Sequence, residues 1–545
     1  MKGSDRTVET SRGAPENRAG FLHAFLDAAA ATWPEVTAVV CGAEATTFAE
    51  LASRVTRLAS ALPTLADSGE RVAILAENSI GYVECLYGIP RAAMVAVPLN
   101  YRLHPSEWIE QLRRAEVAVV IGERMLLDRL RDALCAQDQS IPSMKSVVAF
   151  DDAGPSDLDY EELLGADAKP PSASALTQSQ SVDDVAWMLF TSGTTGVPKA
   201  AMLTHASLGA AIDVNLAVRD IRNGDVYCFP FPLCHVAAYN VFVMHRRACP
   251  VVLLRRFEPS LVFAQVDRYK VSIVSLAPTM LEMMLASPEL SGFDGSSLRV
   301  IQYGASAISA PLLRRVMAAF SCDLSQGYGM TEMSGNMTFL SEEDHQRALA
   351  GDGRLLGSAG RVGPGVELRI VDELLVECPV GAVGEIMLRA PQMMAGYWRD
   401  PDATNAAIVD GWLRTGDLGS LDGDGYLFVL DRMKDVIVSG GENVASREVE
   451  DVLRRWPGVR DVAVIGVPDE RWGERVCAVV VPVDPLFPPD SEELIAFAAQ
   501  HLAGFKKPRA VVFVDSLPVN HAGKVAKKTL RERWATFTPA ASDGA

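Results

Sequence analysis

Residues 191–200 read TSGTTGVPKA, with glycines, hydroxyls and a proline massed ahead of one lysine and directly after the apolar run VAWMLF (185–190). Such a stretch can be a turn, a flexible linker or a cradle for a phosphate chain. The last reading has a physical basis. Glycine lets backbone N–H groups come close, hydroxyls donate to phosphate oxygens, and lysine offsets their charge. The spacing is not GxxxxGK[ST], because Val197 and Pro198 separate Gly196 from Lys199. Other chemistry-bearing residues lie further on, in QGYGMTEMS (326–334), RTGDLG (414–419), DRMKDVIVSGGENV (431–444) and LPVNHAGKVAKKTLRE (517–532). Each has a bland reading as well. A Tyr-Gly pair makes a turn, Glu332 is a solvated charge, RTGD is a hairpin corner, and Lys524 starts a lysine-rich helix.

The elements that must position these residues alternate. Strand-like runs VTAVV (36–40), RVAILA (71–76) and VAVPL (95–99) are interleaved with helical segments up to about Phe150, the mark of a mostly parallel sheet covered by helices. A Pro-, Ser- and acid-rich crossover (151–182) leads to a second alternation with a helix near 207–218 and strands VYCFPF, VVLL, VSIVSL and LRVIQYG. Between about Gly360 and Leu430, short strands with glycine turns predict a small antiparallel β subdomain. Beyond it lies a mixed segment with helices expected over 446–455, 492–501 and 525–534.

At 545 residues the chain exceeds one core, and two or more domains are expected. No apolar run reaches the roughly 18 residues of a membrane span, and the polar N-terminus lacks a secretory signal. The nine cysteines form no CxxC pair and no metal-ligand spacing with the eight histidines, which suits reduced thiols in a cytoplasm. A formal charge of −18 repels nucleic acid over most of the surface. An anionic substrate then needs a local cluster of N–H groups, lysine and arginine.

FTSGTTGVPKAAMLTH (190–205) resembles the phosphate loop of the adenylate-forming superfamily, which comprises acyl-CoA synthetases, luciferases and peptide-synthetase adenylation domains, with Ala200 where these usually have glycine. The other motifs follow in the family's order, and the resemblance runs from Phe21 to Trp534 on the acyl-CoA synthetase branch. It implies an α/β fold: a large N-terminal domain of two α/β-layered subdomains plus a small β-barrel subdomain, with a small mobile α+β C-terminal domain. The divisions are a disordered tail (1–20), the adenylation domain (21–431), a hinge (432–435), the mobile domain (436–536) and a tail (537–545).

By the same resemblance Thr191, Ser192, Gly193, Thr194, Thr195, Gly196 and Lys199 cradle the phosphates of ATP. Gly304 and Ala305 of YGASAIS (303–309) form one wall of the adenine slot, and Tyr328, Gly329 and Met330 form the other. Thr331 contacts a phosphate, Glu332 holds Mg²⁺, and Asp417 accepts both ribose hydroxyls. Arg432 reaches ribose or phosphate, Lys434 is the pivot, and Gly440 and Gly441 belong to the same cofactor-binding stretch. Lys524 is the catalytic lysine. Asp431 replaces the family's usual glycine, and Ser446 stands where proline is common. The implied reaction turns an acid and ATP into an acyl-adenylate, then passes the acyl group to coenzyme A. A carrier protein is the alternative acceptor.

FPLCHVAAYN (231–240) matches the family's acyl-pocket segment. His235 is expected to line or gate that pocket beside Val236, Ala237, Tyr239, Gly304, Ala305 and Gly335; a histidine packed in the core is the competing reading. Val236 stands where amino-acid-activating members carry aspartate, which argues against an amino-acid substrate, since a buried ammonium without a partner is costly. HVAAYN, QYGASA and MTEMSGN carry no arginine or lysine, which argues against a second substrate carboxylate. Ala237, Ala238, Ala305, Ala307 and Gly335 leave room. The expected substrate is therefore a neutral, bulky apolar acid of fatty, aryl or alicyclic type. The sequence does not fix oligomeric state and leaves a homodimer open.

Overall fold

The computed structural model describes residues 20–138, 140–165, 180–191, 198–304, 308, 310–439, 442–469, 472–519 and 524–534. The expected tails lie outside these, apart from Gly20. Two large sheets dominate. In the first, parallel strands Val95–Pro98, Arg71–Leu75, Val117–Gly122, Ser146–Ala149 and Leu158–Asp159 follow Val185–Thr191. The antiparallel Lys199–Thr204 and Gly396–Tyr397 close its other edge. In the second, Val251–Leu253, Tyr227–Phe229, Ile273–Leu276, Val300–Gly304 and Asp323–Met330 run parallel, and Gly335–Leu340 turns back on the last of them.

One strand departs from the expected grouping. Thr37–Cys41, the VTAVV run, pairs in parallel with Val251–Leu253 and so belongs to the second sheet. Its apolar side chains are buried, and such a run specifies burial without specifying a neighbour.

Between the sheets lies a helical layer of Leu22–Thr32, Phe48–Ala61, Ile80–Arg91, His205–Val218 and Tyr239–His245, whose apolar faces share one cluster with the inner face of each sheet. Separate clusters cover the two outer faces. One packs Pro105–Arg114 and Arg124–Ala136 on the first sheet, and the other packs Pro259–Tyr269, Pro278–Ala286 and Ala310–Ala319 on the second. Starts of helices are locally encoded. Thr47 and Glu50 cap Phe48–Ala61 reciprocally, and Thr204 and Ser207 do the same for His205–Val218.

The small β subdomain is a five-stranded antiparallel sheet of Glu367–Val371, Gly384–Arg389, Trp412–Leu421 and Ile408–Val409, with Leu427–Arg432 also on Trp412–Leu421. Among the described residues this is a forked, open sheet, where a barrel was expected; Ile408–Val409 is too short to carry pairing round to the far edge. A one-turn 3₁₀ segment, Met433–Asp435, leads to the C-terminal sheet and its helices Ser446–Leu453, Ser491–His501 and Lys527–Trp534. Among the described residues no helix is long and apolar enough to cross a membrane.

Candidate active site

The glycine-threonine stretch joins two strands that pair antiparallel. Val185–Thr191 enters it, Lys199–Thr204 leaves it antiparallel, and Thr191 pairs with Lys199. Ser192, Gly193, Thr194, Thr195 and Gly196 lie outside the described residues. Lys199 heads the returning strand, and the short strand Gly396–Tyr397 pairs beside it with Tyr397 opposite Ala201. Residues two apart share a face of a strand, so Lys199 and Tyr397 meet. The Lys199 ammonium lies 5.2 Å from the centre of the Tyr397 ring.

The Tyr397 hydroxyl donates to Glu332 Oε1 at 2.9 Å. Glu332 is only 8% exposed, in the 3₁₀ turn Thr331–Met333 that follows Asp323–Met330. Burial, and then the Glu332 charge, push the Tyr397 phenol well above its ordinary range. The structure thus joins Lys199 and Glu332, which are far apart in sequence, through a residue the motifs did not single out. It lies in the GYW run at 396–398, which no motif marked.

A second cluster lies four residues before Glu332. Tyr328 donates to Asp417 Oδ2 at 2.5 Å, and Arg432 Nε stands 2.6 Å from Asp417 Oδ1. Asp417 and Arg432 face each other across two antiparallel strands, and Asp417 is 3% exposed. Burial and the neighbouring Asp417 charge raise the Tyr328 phenol. Each oxygen of Asp417 has one partner here, and a carboxylate offers about four lone-pair sites. Two further hydroxyl donors can therefore be accommodated.

The glycines of this region are demanded by the strands themselves. A Cβ on Gly304 would stand 2.6 Å from the Gly327 carbonyl oxygen, and one on Gly329 2.3 Å from that of Gly335. The room expected at Gly335 is filled: its backbone sits at φ +149°, and a Cβ there would lie 2.8 Å from the Tyr239 ring. Met330 and Thr331 are half-buried at the start of the turn. Ala305 and Ala307 lie outside the described residues.

His235 is half-buried and extended, directly before the one-turn helix Val236–Ala238 and the helix Tyr239–His245; Val236 and Ala237 are half-buried and Tyr239 is buried. Asn78, 1% exposed, fixes this segment from the first sheet. Its Nδ2 donates to the carbonyls of Phe231 and Leu254 at 2.8 Å each, and its Oδ1 accepts from Leu233 N–H at 2.8 Å. Nothing local in the sequence marks that role. The segment itself carries no arginine or lysine, as its sequence shows, but a cation reaches it from elsewhere. Arg219, just past the helix His205–Val218, donates from Nη1 to Asn240 Oδ1 at 2.7 Å. It was missed because it comes from a different element.

Around the expected hinge, Asp431 and Ser446 pair with each other. Asp431 Oδ2 accepts from Ser446 N–H at 2.5 Å and from its hydroxyl at 2.6 Å. Lys527 donates to the same hydroxyl and pairs with Glu450 at 2.8 Å, and Arg531 pairs with Asp435 at 2.7 Å. Lys434 lies in the 3₁₀ turn; its side chain, Gly440 and Gly441 lie outside the described residues. Lys524 is exposed, beside the Val519–Val525 bridge. The last helix starts at Lys527, two residues after the expected start, so Lys524 lies outside it, next to the bridged Val525.

The AMP-binding enzyme family model matches residues 26–398, and the AMP-binding enzyme C-terminal domain model matches residues 448–524. The chain belongs to the AMP-binding enzyme family. Within the adenylate-forming superfamily it falls on the acyl-CoA ligase branch. This AMP-binding enzyme is 36% identical over 504 residues to a feruloyl-CoA synthase of an Amycolatopsis species, covering 92% of this chain and 96% of the relative. It is 35% identical over 510 residues to the fatty acid–[acyl-carrier-protein] ligase ScoC of Streptomyces coeruleorubidus, covering 92% and 94%. The solved structure of the amide bond synthetase McbA from Marinactinospora thermotolerans superposes with a TM-score of 0.84 at 31% identity, covering 94% of this chain and 99% of that one.

Proposed function

We propose that this AMP-binding enzyme joins a bulky, largely apolar carboxylic acid to coenzyme A, with ATP as the activating substrate. The observation that carries the reading is the pair of clusters at the two ends of residues 328–332. Lys199–Tyr397–Glu332 suits a phosphate chain, and Tyr328–Asp417–Arg432 suits a nucleoside.

In the first step the acid's carboxylate attacks the α-phosphorus, pyrophosphate leaves, and an acyl-adenylate forms. An acid of pKa about 4 is already ionised at neutral pH, so no general base is required. Two anions must still meet, and positioning with charge stabilisation carries the rate. Thr191, Lys199 and residues 192–196 hold the phosphates, Thr331 contacts one of them, and Lys524 bridges carboxylate and phosphate oxygens. Asp417 takes the ribose hydroxyls on its unused lone pairs, and Tyr328 lies against the base. Among the described residues no group of three or more His, Cys, Asp or Glu could hold a metal alone. A single buried carboxylate fits Mg²⁺, which takes one or two carboxylates and completes its shell with phosphates and water. Glu332 would hold it, and the ion would neutralise phosphate charge.

In the second step the thiol attacks the acyl carbonyl and AMP leaves. The Met433–Asp435 turn, pivoting at Lys434, allows residues 436–536 to rotate between steps, since a few element-terminal residues can absorb a large backbone change. His235, Val236, Ala237 and Tyr239 line the acid's side. Similarity to ScoC favours one second reading, a carrier protein as acceptor.

The test is mass spectrometry after incubation with ATP, Mg²⁺, coenzyme A and a panel of fatty, aryl and polycyclic acids. Acyl-CoA is the expected product. Acyl-adenylate and AMP without acyl-CoA would move the acceptor to a carrier protein, and absence of any adenylate would overturn the reading.

A further inference from the structure

Arg219 lacks the partner its chemistry calls for. A guanidinium carries five N–H donors, and among the described residues the one hydrogen bond made by this side chain runs from Nη1 to Asn240 Oδ1 at 2.7 Å. Its Nε is buried without a hydrogen-bond partner among the described residues. The acids close to it in sequence are committed elsewhere among the described residues: Asp213 to Arg246, Asp220 to Arg222 and Arg299, and Asp225 to Arg299. The guanidinium lies 5.8 Å from the centre of the Phe339 ring, on the strand that begins at Gly335. It is close enough to the Tyr227 and Tyr239 phenols for its charge to oppose the rise that burial gives them. A buried donor without a partner needs a physical account.

The place is informative. Asn240 lies five residues beyond His235, through the one-turn helix Val236–Ala238 into Tyr239–His245. With about 2.0 Å of rise per 3₁₀ residue and 1.5 Å per α residue, that is roughly 9 Å along the axis. An aryl acid spans such a length between its carboxylate and a group on the far side of its ring. The edge formed by Nε and Nη2, opposite the bond to Asn240, presents two N–H donors in parallel, the fork that binds oxygen acceptors best.

We propose that Arg219, oriented by Asn240, is a specificity residue that recognises a hydrogen-bond-accepting oxygen at the end of the acid remote from its carboxylate. This rests on the reading of residues 235–240 as the acid's site. It narrows the substrate class to an apolar acid with a distal hydroxyl, ether, ketone or carboxylate oxygen. A site built around polar donors rejects an analogue that leaves them unpaired.

The experiment compares kcat/KM for cinnamic acids bearing a para methyl, hydroxyl, methoxy or carboxyl group, using the full-length enzyme and its Arg219→Met and Arg219→Lys variants. The wild type is expected to prefer an oxygen-bearing acid over the methyl analogue by at least tenfold. Arg219→Met should bring that ratio close to one, and Arg219→Lys should retain part of it. General damage to the fold lowers every substrate alike and leaves the ratio unmoved. The carboxyl arm against the hydroxyl and methoxy arms identifies whether the oxygen is anionic or neutral. A ratio unchanged in Arg219→Met would overturn the assignment. Calorimetric binding of the same acids needs no turnover; equal affinity for methyl and oxygen-bearing acids overturns it even where no acyl-CoA forms, whereas failure of acyl-CoA formation with a clear binding preference counts against the activity alone.

Discussion

Tyr397 is the residue whose removal tests the phosphate end of the site most sharply. Its hydroxyl is 2.9 Å from Glu332 Oε1, and its ring lies under the Lys199 ammonium. Tyr397→Phe deletes the first contact and keeps the second. A hydrogen bond to a charged group contributes about 1.5–3 kcal/mol net, and partners that orient a metal-binding carboxylate are worth about 10–100-fold in metal affinity. The two scales agree, since tenfold corresponds to about 1.4 kcal/mol. The Mg²⁺ concentration giving half-maximal acid-dependent pyrophosphate release should therefore rise about 10–100-fold in Tyr397→Phe. ATP binding measured calorimetrically in EDTA should stay at the wild-type value, because Lys199 keeps its aromatic support. Tyr397→Leu removes both contacts and should weaken metal-free ATP binding as well. A Mg²⁺ titration of Tyr397→Phe that overlays the wild type would refute the reasoning, and Tyr397 would then be a packing residue that happens to touch a carboxylate.

Lys524→Ala should abolish most adenylation yet spare thioester formation from pre-made acyl-adenylate; equal loss in both half-reactions would remove the proposed bridging role. Ser446→Pro deletes the two donors that Ser446 supplies to Asp431 and leaves the backbone N–H groups of Arg432 and Arg447 on that carboxylate, at a cost of about 1–2 kcal/mol by analogy with a lost helix cap. Limited proteolysis near Met433–Asp435 should accelerate several-fold, and unchanged cleavage would show that the pairing does not restrain the hinge. His205 and His245 are buried, and desolvation lowers each from 6.5 to about 4. The unfolded chain takes up these protons first, so stability is complete above about pH 6.5 and is lost as pH falls towards 4, by at most about 1.4 kcal/mol per pH unit for each group. Urea unfolding across that window should show a shallower slope in His245→Asn, and an identical slope would exclude His245 as a source of it.

What the sequence made legible was chiefly local. The strand before the glycine-threonine stretch, the helix expected near 207–218 and the change of texture near Gly360 follow from periodicity and turn residues, each a short-range signal. The choice of sheet for Thr37–Cys41 was not legible, because its apolar residues satisfy either sheet equally and the decision rests with the distant Val251–Leu253. The same limit hid Tyr397, Asn78 and Arg219. Tyr397 works by joining Lys199 to Glu332, Asn78 by holding two separate segments, and Arg219 by reaching Asn240 from just past the end of another helix. A motif lists the residues that meet a ligand; it is silent on those that hold such residues in place.

The hinge shows why departures from a pattern are better read together than singly. Taken alone, an aspartate at 431 puts a charge beside the turn, and a serine at 446 gives up the rigidity of proline. In the structure each accounts for the other. The buried Asp431 carboxylate needs donors, and Ser446 supplies an N–H that proline lacks together with a hydroxyl. Lys527 then donates to that hydroxyl and pairs with Glu450, so the restraint extends to the final helix, which follows Lys524 by three residues. Under the proposed function, a rotation that carries Lys524 into or out of the site would break or carry this network. On the proposed rotation, the Asp431–Ser446 pairing would hold the C-terminal domain in the orientation seen here.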